Sequence, residues 1–168
     1  GVIVEIEQVA RAAQDGGDLV QLRLRRVALH LRVAAQQVHR AIRADNLFYG
    51  ADGAGTLVVG ECYTTPPGFA QPDLYESVER ALARPAGRGI GTAADDMFAL
   101  GVTLAVLLTG GDPRRGRSEA ELLEERIARG SFAALVGDLD LPPAVTILLK
   151  GLLRDDPGIA RIEWIQRR

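Results

Sequence analysis

Cysteine, lysine, methionine and tryptophan each occur once in this chain of 168 residues. A single cysteine, Cys62, excludes an internal disulfide and a cysteine-based zinc site, and fits a reducing, cytoplasmic compartment. Two histidines, His30 and His39, are too few and too poorly placed for a histidine metal site. Lys150 is the only lysine. The arginines that stand in its place, beside many alanines, read as the base composition of the source genome. Net charge is −2, which gives no electrostatic reason to expect nucleic acid or membrane as a partner. No G-x-G-x-x-G, G-x-S-x-G or H-E-x-x-H pattern is present, and no signal peptide or transmembrane run. The length is that of a single domain able to bury a real core.

Against these absences stands Gly91 to Gly110, GTAADDMFALGVTLAVLLTG. From Met97 to Leu108 its only polar side chain is Thr103. Thr92 is a natural N-cap, Asp95 and Asp96 lie at the positive end of the helix dipole, and Gly110, Gly111 and Pro113 form a stop. Apolar residues run right round this helix, so burial on every side is expected. It is too short for a bilayer, which needs ~20 residues. A central helix at about 93–109 with acidic residues at its buried start must supply those carboxylates with donors.

The remaining elements follow in order. Val2 to Ile6 is a short β-branched strand, and Glu5 to Gln14 a short helix ending at Gly16-Gly17. Asp18 caps a long helix from Leu19 to about Gln37, with Leu24, Val27, Ala28, Leu31, Ala35 and Val38 on one face. The arginines Arg23, Arg25, Arg26 and Arg32 read as a solvated face, with a phosphate-binding patch as the alternative. A polar loop, His39 to Asn46, leads into a hairpin of Leu47 to Tyr49 and Thr56 to Val59 across GADGAG. Prolines mark an irregular segment to Leu74, and a brief helix spans Tyr75 to Arg84. Ser118 and Glu121 have capping-box spacing for a helix to Gly130, with Leu122, Leu123 and Ile127 inward. Phe132 to Val136 is a helical turn. Pro142-Pro143 opens a helix with Val145, Leu148, Leu149, Leu152 and Leu153 on its apolar side. Asp155-Asp156-Pro157 breaks it, and Ile159 to Arg168 is a last short helix. The fold class is mainly α with one small β-hairpin, in one domain over 1–168.

From about Asp18 to Arg161 this order of parts resembles the C-terminal lobe of a protein kinase, and with the departures below it resembles that of a bacterial pseudokinase. The kinase catalytic loop, H-R-D-x-x-x-x-N, sits between a long helix and a small hairpin. His39-Arg40-Ala41-Ile42-Arg43-Ala44-Asp45-Asn46 has that spacing, with Ala41 at the aspartate and Arg43 where the family usually has lysine. Asp96-Met97-Phe98-Ala99-Leu100-Gly101 is similar to the start of the kinase central helix. The resemblance implies that Asp96 holds the backbone of the loop. It also implies that Glu79, ending the activation segment, pairs with Arg161 late in the lobe.

The departures set the expected function. Ala41 has no side-chain acceptor for a substrate proton. At the metal-binding aspartate of the D-F-G motif stands Val59 or Gly60, neither of which binds a metal, with Glu61 the nearest carboxylate. Cys62 beside Glu61 is expected to have a raised pKa through like-charge repulsion. No glycine-rich loop or strand lysine is present, so residues 1–17 are at most the end of a missing or truncated small lobe plus a short helix. The expectation is a catalytically inactive pseudokinase scaffold without cofactor or metal. It would bind a protein partner through Thr64 to Tyr75 or Ser118 to Gly130, the regions where, by the same resemblance, kinases engage substrates and regulators. Two alternatives remain open here. One is a divergent phosphotransferase whose small lobe lies upstream, with Glu61 and Asn46 on a metal. The other is a structural dimerisation domain.

Overall fold

The computed structural model describes residues 3–4, 38–49, 57–111 and 113–155. The helices expected over 5–14, 19–37 and 159–168, the hairpin turn, Arg161 and the arginine face at 23–32 lie outside the described residues. Within them the chain is mainly helical.

The central helix, α2 (Ala93–Thr109), follows the shorter α1 (Val78–Leu82). Asp95 closes its first turn, accepting from the Thr92 amide at 2.5 Å and the Thr92 hydroxyl at 2.9 Å. Every residue from Phe98 to Ala105 is buried, with Ala99, Val102, Thr103 and Ala105 fully so. Thr103, the one hydroxyl in this stretch, donates to Ala99 O at 2.8 Å and Ile42 O at 3.3 Å, so its burial carries no orphaned donor. Burial on all sides ends in the last turn, where Leu107 is 38% exposed.

Around α2 pack α3 (Glu119–Arg129), α4 (Ser131–Val136) and α5 (Pro143–Leu152). Ser118 opens α3 as its composition demands. Its hydroxyl accepts from the Glu121 amide at 3.3 Å, and the Glu121 carboxylate accepts from the Ser118 amide at 2.8 Å. Helices α2 and α5 cross at Gly101, where an added Cβ would lie 2.8 Å from Leu152 Cβ and 2.9 Å from Leu153 Cδ2. Gly101→Val should therefore force the helices apart and cost about 1–3 kcal/mol. The check is its urea midpoint against the natural chain; an unchanged midpoint would mean the crossing tolerates a side chain.

Three short strands lie on one side. β2 (Leu47–Tyr49) and β3 (Leu57–Val59) pair antiparallel in the expected hairpin, with Phe48 opposite Val58. β1 (Ile3–Val4) adds to the other edge of β3, giving the order β1-β3-β2. The sequence leaves this pairing open because a strand of that length carries no register signal. Among the described residues no helix is long and apolar enough to cross a membrane.

Candidate functional site

The loop Val38–Asn46 is seated on the start of α2. Asp96 accepts from the His39 amide at 2.6 Å and the Arg40 amide at 2.7 Å, one on each carboxylate oxygen. His39 turns its ring back under the loop, Nδ1 accepting from the Ala41 amide at 3.2 Å. Arg40 takes a left-handed backbone, φ +58°, which is unfavourable for a residue with a Cβ and needs outside support. Asp96 supplies part of it.

The rest comes from the Arg40 side chain. Its guanidinium makes two bonds to Glu76, Nη2 to Oε1 at 2.6 Å and Nη1 to Oε2 at 3.1 Å, and neither side chain is exposed. It reaches Glu76 between two glycines. A Cβ at Gly91 would lie 2.5 Å from Arg40 Cδ, and one at Gly68 2.8 Å from Arg40 Nε. Burial holds the Glu76 carboxyl above its usual range, against the opposing pull of Arg40 and Arg88.

Two further arginines clamp the irregular segment that follows. Arg88 donates to Gln71 O at 3.1 Å and pairs with Asp73. Arg126, on the inward side of α3, donates to Asp73 O at 3.1 Å and to Glu76 O, and its Nε to Ser131 Oγ at 2.8 Å. Its guanidinium also lies 5.3 Å from the centre of the Phe98 ring. Burial pulls its pKa below the usual arginine range, opposed by Asp155, Glu79, Asp73 and Glu76. Asp155, just beyond the end of α5, in turn accepts from Ser131 N at 2.6 Å and Ser131 Oγ at 2.8 Å and so buttresses the start of α4. Composition alone assigns the arginines to genome bias. Arg40, Arg88 and Arg126 are in fact at most 5% exposed, Arg40 bonded to the Glu76 carboxylate, Arg88 to backbone and Asp73, and Arg126 to backbone and the Ser131 hydroxyl.

The sequence-derived positions gather on this loop and around a half-open cavity of about 180 Å³. It is lined by Ala41, Arg43, Asn46, Glu61, Cys62 and Gln71, among others. Ala41 is buried and presents a methyl group. Asn46 donates from Nδ2 to Ala41 O at 2.9 Å and to Gly60 O at 3.1 Å, joining the loop to the end of the hairpin. Val59 is in the core. At Gly60 a Cβ would overlap Asn46 Oδ1 and lie 2.7 Å from Phe48 Cε2, so no carboxylate fits there without displacing both. Glu61 is exposed, and Arg43 sits 3.2 Å from Asp45. Glu79 lies in the first turn of α1, while its proposed partner, Arg161, falls outside the described residues.

Cys62 behaves opposite to expectation. Burial alone would raise its thiol pKa, yet the net direction is down, because Thr64, the Gly68 amide and the Arg40 charge favour the thiolate. The groups that touch Sγ are three-dimensional neighbours, and Glu61 is not among them.

No family model matches the chain, and neither a curated protein nor a solved structure does.

Proposed function

We propose that this is a catalytically inactive, kinase-like large lobe that works as a protein-binding scaffold. The observation that carries the reading is the seating of the His39-Arg40-Ala41 loop on the Asp96 carboxylate at the buried start of α2. Such seating keeps a loop in one shape even where the loop does no chemistry. Two features support inactivity. Ala41 offers no acceptor for a hydroxyl proton, which phosphoryl transfer of this kind takes from its catalytic-loop aspartate. The Gly60 position has no room for a metal-binding aspartate, because a Cβ there would overlap Asn46 Oδ1 and crowd Phe48.

The binding surface of this reading is the irregular segment Thr64 to Tyr75 with the outer face of α3. Tyr63, just before that segment, is 86% exposed and Phe69 within it 45%, on a frame held from beneath by Arg40, Arg88 and Arg126. Large exposed aromatics on a rigid support are the usual anchors of protein interfaces.

Two measurements test the proposal. With labelled ATP and Mg²⁺, neither the natural chain nor Ala41→Asp should transfer phosphate, because restoring one carboxylate leaves the metal position empty. Transfer by either protein would overturn the claim of inactivity. Capture of partners from the source cell with the chain as bait should lose its specific partner when Tyr63 and Phe69 are both changed to serine. Retention of every partner would remove this surface from the proposal.

A further inference from the structure

Charged residues make up 25% of the chain, yet two stretches, residues 62–72 and 89–94, carry no charged side chain. They hold three of the six large apolar side chains exposed among the described residues: Tyr63, Phe69 and Ile90, the last 67% exposed. The fold brings the two stretches side by side. A Cβ at Gly68 would lie 2.8 Å from Arg40 Nε, and one at Gly91 2.6 Å from the same atom. Arg88, just before the second stretch, donates to Gln71 O in the first at 3.1 Å. Within the first, Thr64 Oγ1 accepts from the Phe69 amide at 3.2 Å, which brings Tyr63 and Phe69 close together.

The charges that bound the stretches are Glu61, Asp73, Arg88 and Asp95. Asp73 pairs with Arg88, and Asp95 pairs with Arg80, which also donates to Arg88 O. The loop that carries Ile90 is thus pinned at both ends. Gly89 and Gly91 on either side of Ile90 take left-handed backbones, φ +64° and +81°. A surface held in this way needs little ordering when a partner binds. Glu61 is the exception among the four, exposed and without an ion pair among the described residues.

We propose that Tyr63, Phe69 and Ile90 form the core of a docking surface for a protein segment that carries large apolar side chains flanked by a lysine or arginine. Depletion of charge around exposed aromatic side chains marks the core of a protein interface, and bulky side chains on a rigid support are its anchors. The basic residue of the partner meets Glu61 at the rim, where a charge sets partner choice more than affinity. A second copy of this chain fits worse. A two-fold contact sets the same patch against itself, and this patch offers no cation to Glu61. The inference rests on the scaffold reading for the existence of a partner, and it carries the surface away from α3 to the loop before α2.

The test selects a random peptide library displayed on phage against the full chain at low salt. Enriched peptides should carry large apolar side chains beside a lysine or arginine. Made synthetically and labelled, they should bind Ile90→Ser about tenfold more weakly than the natural chain, with Phe69→Ser as the second variant. Glu61→Arg should weaken them about fivefold, a loss that vanishes at about 1 M salt. Urea midpoints of the Ile90 and Glu61 variants should match the natural chain, since both side chains are exposed. A selection that enriches nothing, or binding unchanged in both Ile90→Ser and Phe69→Ser, overturns the surface. Binding unchanged or tighter in Glu61→Arg overturns the basic partner. A dimer seen by light scattering and dissolved by Ile90→Ser gives the surface to a second copy and overturns the occupant. Phosphate transfer by the chain would remove the inactive scaffold and leave these binding results standing.

Discussion

Replacing Arg40 by methionine is expected to destabilise the fold by about 3–5 kcal/mol, the usual result of breaking a buried ion pair from one side. Methionine keeps much of the stem that runs between Gly68 and Gly91, so the loss falls mainly on Glu76. That carboxyl would remain at zero exposure without the two donors that now satisfy it. The double change Arg40→Met with Glu76→Leu should recover most of the loss, since an apolar pair has no charge to desolvate. Urea midpoints of the three proteins decide the matter. If the double variant is no more stable than Arg40→Met alone, the guanidinium matters for something other than its partner.

The same pair fixes a pH dependence. Because burial raises the Glu76 pKa, the folded chain holds this proton more tightly than the unfolded one. The stability so gained is fully present below the ordinary glutamate value and is lost as pH rises through the folded value. Glu76→Gln keeps an acceptor for Arg40 and does not titrate. Its stability should gain on the natural chain as pH climbs from about 4 to about 7. A gap that moves the other way would put the folded pKa below the unfolded one.

Asp96→Ala carries the second large effect, about 3 kcal/mol or more. Each amide bond to a carboxylate is worth about 1.5–3 kcal/mol, and the change leaves the His39 and Arg40 amides without their acceptors. For a chain of this size that corresponds to a fall in Tm of about 6–12 °C. Asp96→Asn should lie between the two, because an amide side chain offers one acceptor oxygen and turns a donor toward the second N–H. Equal midpoints for Asp96→Ala and the natural chain would show that the loop stands without the helix start.

These effects also mark what could be read from the residues in order. α2 was legible because its apolar run, Thr92 cap and glycine stop are local, and so was the Ser118–Glu121 box. The hairpin was legible from two apolar runs around turn residues. What escaped were pairings across long stretches of chain. Arg40 finds Glu76, Arg126 finds the Glu76 carbonyl, and Asp155 finds Ser131, each through packing that no spacing announces. Arg126 is hidden further because Leu122, Leu123 and Ile127 mark the inward side of its helix by their apolar character. Cys62 follows the same rule: its sequence neighbour Glu61 suggests repulsion, whereas Thr64 and Gly68 fold back onto the sulfur.

The pair of hydrogen bonds donated by Asn46 has a dynamic consequence. Its amide holds Ala41 O and Gly60 O together while the Gly60 amide donates to Asn46 O at 2.9 Å. Loop and hairpin therefore open as one cooperative unit, and hydrogen exchange at the Gly60 and Ala41 amides should follow a common opening free energy. A ligand gripping either piece would slow exchange in both.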